Sequence, residues 1–193
     1  KATYIEELLP DNTLKPLACY SSAHQYAYAN GWNPSQEFVE AFRRDYPNVK
    51  YDYGHHGQPG HGYGMLWVDR DGDGQMQAGE IEFATAAESL AASGWGHDFY
   101  DLTLRIPAKV AGKSVMVTLK PDGWWPGGAP KYPGFNDAVK AAVLIDLPGP
   151  VNVETTIDRF GNMIANSDPE MRGFASDGRL LWRYPNRWSG VHG

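Results

Sequence analysis

The amino-acid sequence predicts a mainly β protein with one helical insertion. Glycine (22 residues) and proline (14 residues) together make up nearly a fifth of the 193 residues, which favours many turns and few long helices. Several short segments alternate apolar and polar residues, as half-buried strands do. Hydrophobic residues (42%) and charged residues (21%) occur in globular proportions, so we expect a buried core rather than disorder.

The helical insertion is predicted at residues 34–46, within the segment NPSQEFVEAFRRDYP. Asn33 is a suitable N-cap, Pro34 suits the first helical position, and Gln36 completes a capping-box pattern. Pro47 ends the helix, because proline lacks the backbone N–H that a further turn needs. The apolar residues on one helical face are Phe38, Val39 and Phe42.

Strands are predicted on both sides of the helix. Tyr20, Tyr26 and Tyr28 suggest a strand or two before it, and GMLWVD (64–69) has the composition of a short buried strand. The segment IEFATAAESLAASGWG (81–96) predicts a strand followed by a short alanine-rich helix. Later segments with strand-like patterns are DLTLRIP (101–107), KSVMVTLKPDG (113–123) and AAVLIDLPG (141–149).

The C-terminal region contains two units centred on turns, TTIDRFGNMIANSD (155–168) and RGFASDGRLLWRYPN (172–186). In each unit a hydrophobic strand meets an Asp/Gly-containing reverse turn, and a second strand follows. PDG (121–123) predicts a third such turn. This recurrence predicts open β-meander units. We therefore distinguish a mixed α/β segment, residues 1–100, from a β-repeat segment, residues 101–193, which form either two units or one continuous domain.

Composition and motif content exclude several functions. The formal net charge of -6 gives nucleic-acid binding no electrostatic support. No apolar run approaches the ~20 residues that span a bilayer. No nucleophile elbow, phosphate-binding loop or dinucleotide fingerprint is present, so we predict no catalytic residue and do not expect this chain alone to be an enzyme. The single cysteine, Cys19, excludes an intrachain disulfide framework and is expected to pack in the core.

Residues 69–80, DRDGDGQMQAGE, predict a calcium-binding loop. Counted from the first aspartate, oxygen-bearing side chains fall at positions 1, 3, 5, 9 and 12, as in loops that surround Ca²⁺ with oxygen ligands. These residues are Asp69, Asp71, Asp73, Gln77 and Glu80. Gln75 would contribute its backbone carbonyl, Gly74 would adopt a positive φ, and Met76 would point back into the core.

The alternative to a calcium site is a solvated acidic turn. Three aspartates this close repel one another without a cation, which favours the metal site. Magnesium is a poorer match, because it prefers fewer protein ligands and more water. The segment before the loop predicts a strand, and the loop has no second copy, whereas a calcium sensor needs flanking helices and usually a paired loop. We therefore expect a structural site that resembles the EF-hand-like loops of extracellular dockerin-type modules.

Two further groups of residues are candidate ligand sites. The histidine-rich segment HHGQPGH contains His55, His56 and His61, which are either ordinary loop histidines or ligands for zinc, copper or haem. Exposed tryptophan rings stack on sugars, and the alternative is that these rings pack against turns. The candidate tryptophans are Trp124, Trp125, Trp182 and Trp188.

Segments in the second part of the chain carry a resemblance to a known family. GFASDGRLLWRYPN (173–186) and TTIDRFGNMIAN (155–166) resemble the blade repeats of secreted bacterial quinoprotein-like (PQQ-like) β-propellers, and the resemblance extends roughly over residues 64–193. It implies a propeller-like arrangement as one alternative to open meander units, and an extracellular setting. It supplies no catalytic residue.

These observations lead to one expected function and two alternatives. We expect a secreted or cell-envelope structural or interaction protein that is stabilised by Ca²⁺ and associates with itself as a homo-oligomer or filament. The alternatives are a polysaccharide-binding module that uses the Trp/Tyr surface, and a fragment of a redox propeller enzyme. Because the sequence begins at Lys1 with neither an initiator methionine nor a signal peptide, we expect a processed or excised piece of a longer precursor.

Overall fold

Three four-stranded antiparallel sheets dominate the fold. The computed structural model describes residues 2–49, 63–91, 101–147, 154–166 and 170–185. Within these residues no sheet closes into a barrel, and each sheet is a meander in which every strand pairs with its neighbour along the chain. The prediction of a mainly β protein is confirmed.

The first sheet joins the N-terminal strands to the strands that flank the aspartate-rich loop. Its strands, in order, are β1 (Thr3–Leu8), β2 (Leu14–Ser22), β3 (Gly64–Val68) and β4 (Ile81–Phe83). β3 is buried along its whole length, as its apolar sequence predicts. β3 also pairs on both sides, because Trp67 lies opposite Cys19 of β2 and Ile81 of β4.

Two helices lie between β2 and β3 in the part of this segment that the structure describes. The helix α1 (Ala23–Ala29) begins directly after β2, where Ser22 caps it by accepting a hydrogen bond from the Gln25 N–H at 3.2 Å. The prediction of a strand at Tyr26 and Tyr28 is therefore wrong. A helix that begins at this cap buries the Tyr26 ring against other aromatic side chains, and that packing overrides the β propensity of tyrosine.

The predicted helix at 34–46 is confirmed as α2 (Gln36–Asp45), but its N-cap differs from the prediction. Ser35 is the cap, and its Oγ accepts a hydrogen bond from the Phe38 N–H at 3.2 Å. Pro34 therefore precedes the cap and does not occupy the first helical position. Because α1 and a third helix are also present, the prediction of a single helical insertion is wrong.

The second sheet is built from two long strands and two short ones. Its strands, in order, are β5 (Ser89–Leu90), β6 (Leu104–Val110), β7 (Lys113–Leu119) and β8 (Val143–Leu144). The helix α3 (Phe135–Lys140) precedes β8, so only two of the described residues of the apolar run 141–149 form a strand. The predicted alanine-rich helix is absent from residues 84–91, which form a turn and β5; its remaining residues lie outside the described ones.

The third sheet confirms the two units centred on turns. Its strands are β9 (Glu154–Ile157), β10 (Met163–Asn166), β11 (Glu170–Phe174) and β12 (Leu180–Pro185), and their spatial order follows the chain. The predicted reverse turn at 121–123 is wrong. Gly123 instead pairs with Lys131 across an irregular hairpin, which turns through Gly128.

The hydrophobic core unites the first two sheets. Its largest cluster includes Leu66 of the first sheet, Val117 of the second sheet and Phe135 of α3, so residues from both sides of position 100 contribute. A second cluster packs α1 and α2 against Trp67 and Phe83 of the first sheet. A third cluster lies beneath the third sheet. None of the helices in the described ranges has the length and apolar character needed to cross a membrane.

Candidate functional site

The aspartate-rich loop connects β3 to β4. Asp69 follows β3 directly, and its N–H donates to the Leu17 carbonyl of β2 at 2.9 Å, which fixes the start of the loop. At the other end, residues Ala78–Glu80 form one 3-10 turn that leads into β4. Both ends of the loop are therefore held by the first sheet, while the residues between them reach solvent.

Three carboxylates meet in this loop. The side chains of Asp69, Asp71 and Asp73 each place an oxygen atom within 4.8 Å of the others. Two oxygens bound to one Ca²⁺ are at most about 5 Å apart, because each lies roughly 2.3–2.6 Å from the ion. Asp69 is fully buried, whereas Asp71 and Asp73 are exposed. The three predicted aspartate ligands therefore lie close enough together to share one cation.

The backbone of the loop winds around the Asp69 carboxylate. Asp69 Oδ1 accepts a hydrogen bond from the Gly72 N–H at 2.9 Å, and Oδ2 accepts one from the Gly74 N–H at 3.1 Å. Gly74 has a φ of +74°, as its position in the predicted loop requires. These hydrogen bonds hold the loop in its curved form through contacts made within the protein.

Gln77 and Gln75 also contact the aspartates. The Gln77 Nε2 donates to Asp71 Oδ2 at 2.9 Å and to Asp73 Oδ2 at 3.0 Å. The Gln77 amide therefore lies beside the two exposed carboxylates. A flip of this amide would place its oxygen on the same side, where it would face a cation bound by the two carboxylates. The Gln75 N–H donates to Asp73 Oδ1 at 2.7 Å, which holds the backbone of Gln75 against the same loop.

Glu80 lies apart from the three aspartates. Its Oε2 accepts a hydrogen bond from Trp67 Nε1 at 3.0 Å, and its Oε1 accepts hydrogen bonds from the N–H groups of Arg70 at 2.6 Å and Asp71 at 3.4 Å. The side chain, which is only 6% exposed, thus ties the end of the loop to its beginning. Bidentate binding of a cation by Glu80 requires this carboxylate to exchange some of these donors for the ion.

Among the described residues, Lys15 of β2 is the cation nearest to the buried aspartate. Its Nζ lies 3.7 Å from Asp69 Oδ2 and donates a hydrogen bond to the Gly127 carbonyl at 3.1 Å. Lys15 therefore connects the loop to the irregular hairpin around residues 124–130. Sequence reasoning missed this residue, because no local pattern places a lysine so far upstream beside the loop.

Other side chains join the loop to the helices. Met76 packs against the second core cluster, as predicted, and its Sδ accepts a hydrogen bond from the Tyr26 hydroxyl of α1 at 3.2 Å. Arg70 pairs with Glu82 at 2.6 Å, and Glu82 Oε2 accepts the Phe135 N–H of α3 at 2.8 Å. The loop thus contacts α1 directly and α3 through Glu82.

The other predicted ligand residues have different surroundings. His55, His56, His61 and Trp188 lie outside the described residues. Trp124 is 64% exposed, but Trp125 packs against the largest core cluster, with the Lys131 Nζ 5.7 Å from its ring centre. Trp182 is 39% exposed and lies across Gly173 of the neighbouring strand. Of the described candidates, Trp124 and Trp182 therefore present accessible rings.

The three aspartates of this loop lie close enough together to hold a metal ion. Burial raises the pKa of the Cys19 thiol to about 12, so this cysteine is not an activated nucleophile.

Comparison of the chain with protein-family models, with curated proteins and with solved structures found no match. The assignment of a function therefore depends on the residues of the site.

Proposed function

We propose that this chain is a structural or interaction protein of the extracellular space that is stabilised by Ca²⁺ bound in the loop 69–80. The observation that carries the proposal is the convergence of the carboxylates of Asp69, Asp71 and Asp73 in a loop whose ends are held by β3 and β4. Carboxylate and backbone oxygens are the ligands that Ca²⁺ prefers, and a curved loop supplies them at alternate residues.

A structural role for the ion follows from what surrounds the loop. The loop contacts α1 through Met76 and the hairpin around residues 124–130 through Lys15. A cation that binds the folded loop and not the unfolded chain stabilises the fold by mass action. The ion would therefore fasten the first sheet, a helix and a distant hairpin to one another.

The exposure of the loop supports an extracellular setting. Asp71 and Asp73 face solvent, and the residues before and after the loop form strands rather than a helix pair. Calcium loops of extracellular modules bind with dissociation constants of about 10⁻⁴–10⁻³ M, which suits a solvent-facing loop. Cys19 is buried and forms no disulfide, so the fold does not depend on whether the compartment is oxidising or reducing.

The sheets support an interaction role and a propeller-like arrangement. Each is a four-stranded antiparallel meander of consecutive strands, which is also how one propeller blade is built. Among the described residues, β12 pairs with β11 on one side only, so it forms one edge of the third sheet, and it carries Leu181, Trp182 and Tyr184, all exposed. An edge strand of this kind recruits another strand unless it is guarded, so we propose association with a second copy.

Binding of a polysaccharide is the second candidate function. Trp182 and Tyr184 are two residues apart on β12, so their side chains project from the same face of the strand. Tyr184 is 66% exposed, and rings with free faces stack on sugars. Quenching of tryptophan fluorescence by a glycan, lost in Trp182→Ala and kept in Trp124→Ala, would favour this function over self-association.

Calcium binding is tested by calorimetric titration of the chelator-treated protein with CaCl₂ and with MgCl₂. We expect one calcium site, a lower melting temperature in chelator, and loss of both effects in Asp69→Asn. Asp122→Asn is the matched control, because this exposed aspartate lies outside the loop. Identical melts with and without chelator, together with no heat of binding, would overturn the proposal. Light scattering on the same samples tests self-association.

A further inference from the structure

A polar cleft lies where the second sheet meets the third. Its volume is about 280 Å³, and it is lined by β6, by the end of β7 and by the turns that follow β9 and β11. The residues that matter for its chemistry are Thr103, Arg105, Lys120, Asp158, Gly161 and Ser176. None of these residues belongs to the calcium loop, so the cleft is independent of the function proposed above.

Arg105 of β6 is the central cation of this cleft. Its Nη1 donates to Thr118 Oγ1 at 3.2 Å and to the Ser176 carbonyl at 3.3 Å, whereas its Nε is buried and has no hydrogen-bond partner. Among the described residues no carboxylate lies within ion-pair distance of its guanidinium. Because arginine stays protonated in proteins, a partly buried positive charge remains without a paired anion.

Each of the two carboxylates that line the cleft interacts with residues other than Arg105. Asp101 pairs with Lys120 at 3.7 Å and accepts the Thr103 N–H at 3.1 Å. Asp158 accepts hydrogen bonds within its own turn, from the N–H of Phe160 at 2.8 Å and from the N–H of Asn162 at 2.9 Å. Neither carboxylate therefore neutralises Arg105 by direct contact.

The charge and the shape of the cleft favour a small anion. Its lining contains three cationic side chains and two carboxylates, an excess of positive charge in a chain of net charge -6. The cationic residues are Arg105, Lys120 and Arg159. The absence of a side chain at Gly161 leaves space for the guanidinium, since a Cβ there would lie 3.1 Å from Arg105 Nη2.

We propose that this cleft binds a small oxyanion, namely a carboxylate, sulfate or phosphate group, through the guanidinium of Arg105, with Lys120 as a second cation. Arginine matches the planar geometry of these groups with parallel hydrogen bonds, which makes it the usual choice for their recognition. The volume lies below the roughly 300 Å³ at which pockets for drug-sized ligands begin, so the ligand is the anionic group with at most a small body attached.

The test is an NMR titration of the ¹⁵N-labelled full chain at constant ionic strength with sodium acetate, glucuronate, sulfate and phosphate in separate series. We expect saturable shifts of the Gly161 and Ser176 amides with at least one anion. Binding of acetate and glucuronate alone would indicate a carboxylate, such as that of an acidic sugar, as the source, whereas binding of sulfate or phosphate would indicate a sulfate or phosphate group. Absence of saturable shifts in all four series would overturn the proposal.

Two variants decide whether Arg105 is responsible. In Arg105→Met we expect affinity to fall about tenfold or more, because charge-assisted hydrogen bonds are lost. Arg43→Met, an exposed arginine on α2, should bind as the wild type does. Equal affinity in Arg105→Met and wild type would refute the assignment. If Arg105→Met does not fold, Lys120→Met is the deciding variant, because this lysine is exposed and its replacement should leave the fold intact. Loss of Lys120 should weaken anion binding about two- to fivefold. Unchanged affinity in Lys120→Met would count against the site.

Discussion

The backbones of Gly72 and Gly127 touch across the boundary between the aspartate-rich loop and the irregular hairpin. A Cβ built on Gly72 would lie 2.7 Å from the Cα of Gly127, a distance that real side chains do not adopt. The two glycines therefore allow the loop 69–80 to pack against a segment that lies far along the chain. This close approach is the steric counterpart of the hydrogen bond from Lys15 to the Gly127 carbonyl.

A methyl group at position 127 should separate these two segments. We expect Gly127→Ala to lower the free energy of unfolding by about 1–3 kcal/mol, which is typical of overpacking at a tight contact, and to weaken calcium binding. Gly123→Ala is the matched control, because a Cβ at Gly123 meets no atom within 4 Å. Urea denaturation of both variants checks the prediction, and equal stability of the two would contradict it.

The hydrogen bond between Trp67 and Glu80 predicts an optical signal for calcium. A cation that draws the Glu80 carboxylate toward the aspartates changes the environment of the Trp67 indole, whose Nε1 donates to Glu80 Oε2 at 3.0 Å. We expect addition of calcium to alter tryptophan fluorescence in the wild type. The response should be lost in Trp67→Phe and kept in Trp125→Phe. A full response in Trp67→Phe would show that the signal arises from another tryptophan and would contradict the prediction.

The same hydrogen bond makes Glu80 important without calcium. Glu80→Ala removes the acceptor for Trp67 Nε1 and for the Arg70 N–H, and Trp67 is buried. A buried donor left without a partner costs about 1–3 kcal/mol, so we expect a loss of that size in chelator. Thermal melts in chelator measure it. Glu88→Ala, a change at a carboxylate of another segment, should cost less.

The N-cap of α2 can be assigned by two alanine substitutions. Ser35→Ala removes the acceptor for the Phe38 N–H and should cost about 1 kcal/mol of stability. Asn33→Ala changes an exposed residue that lies before the cap, so we expect a smaller effect. Chemical denaturation of both variants tests this order. A larger loss of stability in Asn33→Ala would show that Asn33 is the N-cap, as the sequence pattern predicts.

We expect the free energy of unfolding to depend on pH in the acid range through the carboxyl of Asp158. Hydrogen bonds, first from the Asn162 side chain and then from the backbone N–H groups of Asn162 and Phe160, lower the pKa of its carboxyl below the ordinary value of 3.8. The folded state therefore binds this proton less readily than the unfolded state. The stabilisation by the Asp158 carboxylate is complete when the pH is above the pKa of Asp158 in the unfolded chain. It is lost as the pH falls through the lower pKa of Asp158 in the folded chain. A carboxyl titration by NMR measures the pKa, and Asp158→Asn should reduce this acid dependence.

Local patterns in the sequence predicted the features that depend on local chemistry. The two hairpins of the third sheet follow from Asp/Gly turn residues between apolar strands. The positive φ of Gly74 and the inward position of Met76 follow from the spacing within a single loop. The helix α2 follows from an amphipathic pattern, although serine and not asparagine caps it.

Features that depend on tertiary contacts could not be predicted in this way. The β propensity of tyrosine predicted strands where α1 buries Tyr26 in an aromatic cluster. No local pattern connects Lys15 or Gly127 to the loop 69–80, because these contacts join residues distant in the chain. The cleft around Arg105 was missed for the same reason, since four separate segments of the chain form it.

The meander topology has a consequence for how the chain folds during synthesis. Because each strand pairs with the strand next to it in sequence, each sheet can form from consecutive strands of the chain. Contacts between near neighbours form faster than distant ones, and N-terminal parts of a growing chain fold first. We expect the first sheet to pair while β9–β12 are still being translated. The contact between Gly72 and Gly127 then forms after the loop itself, as a late docking step.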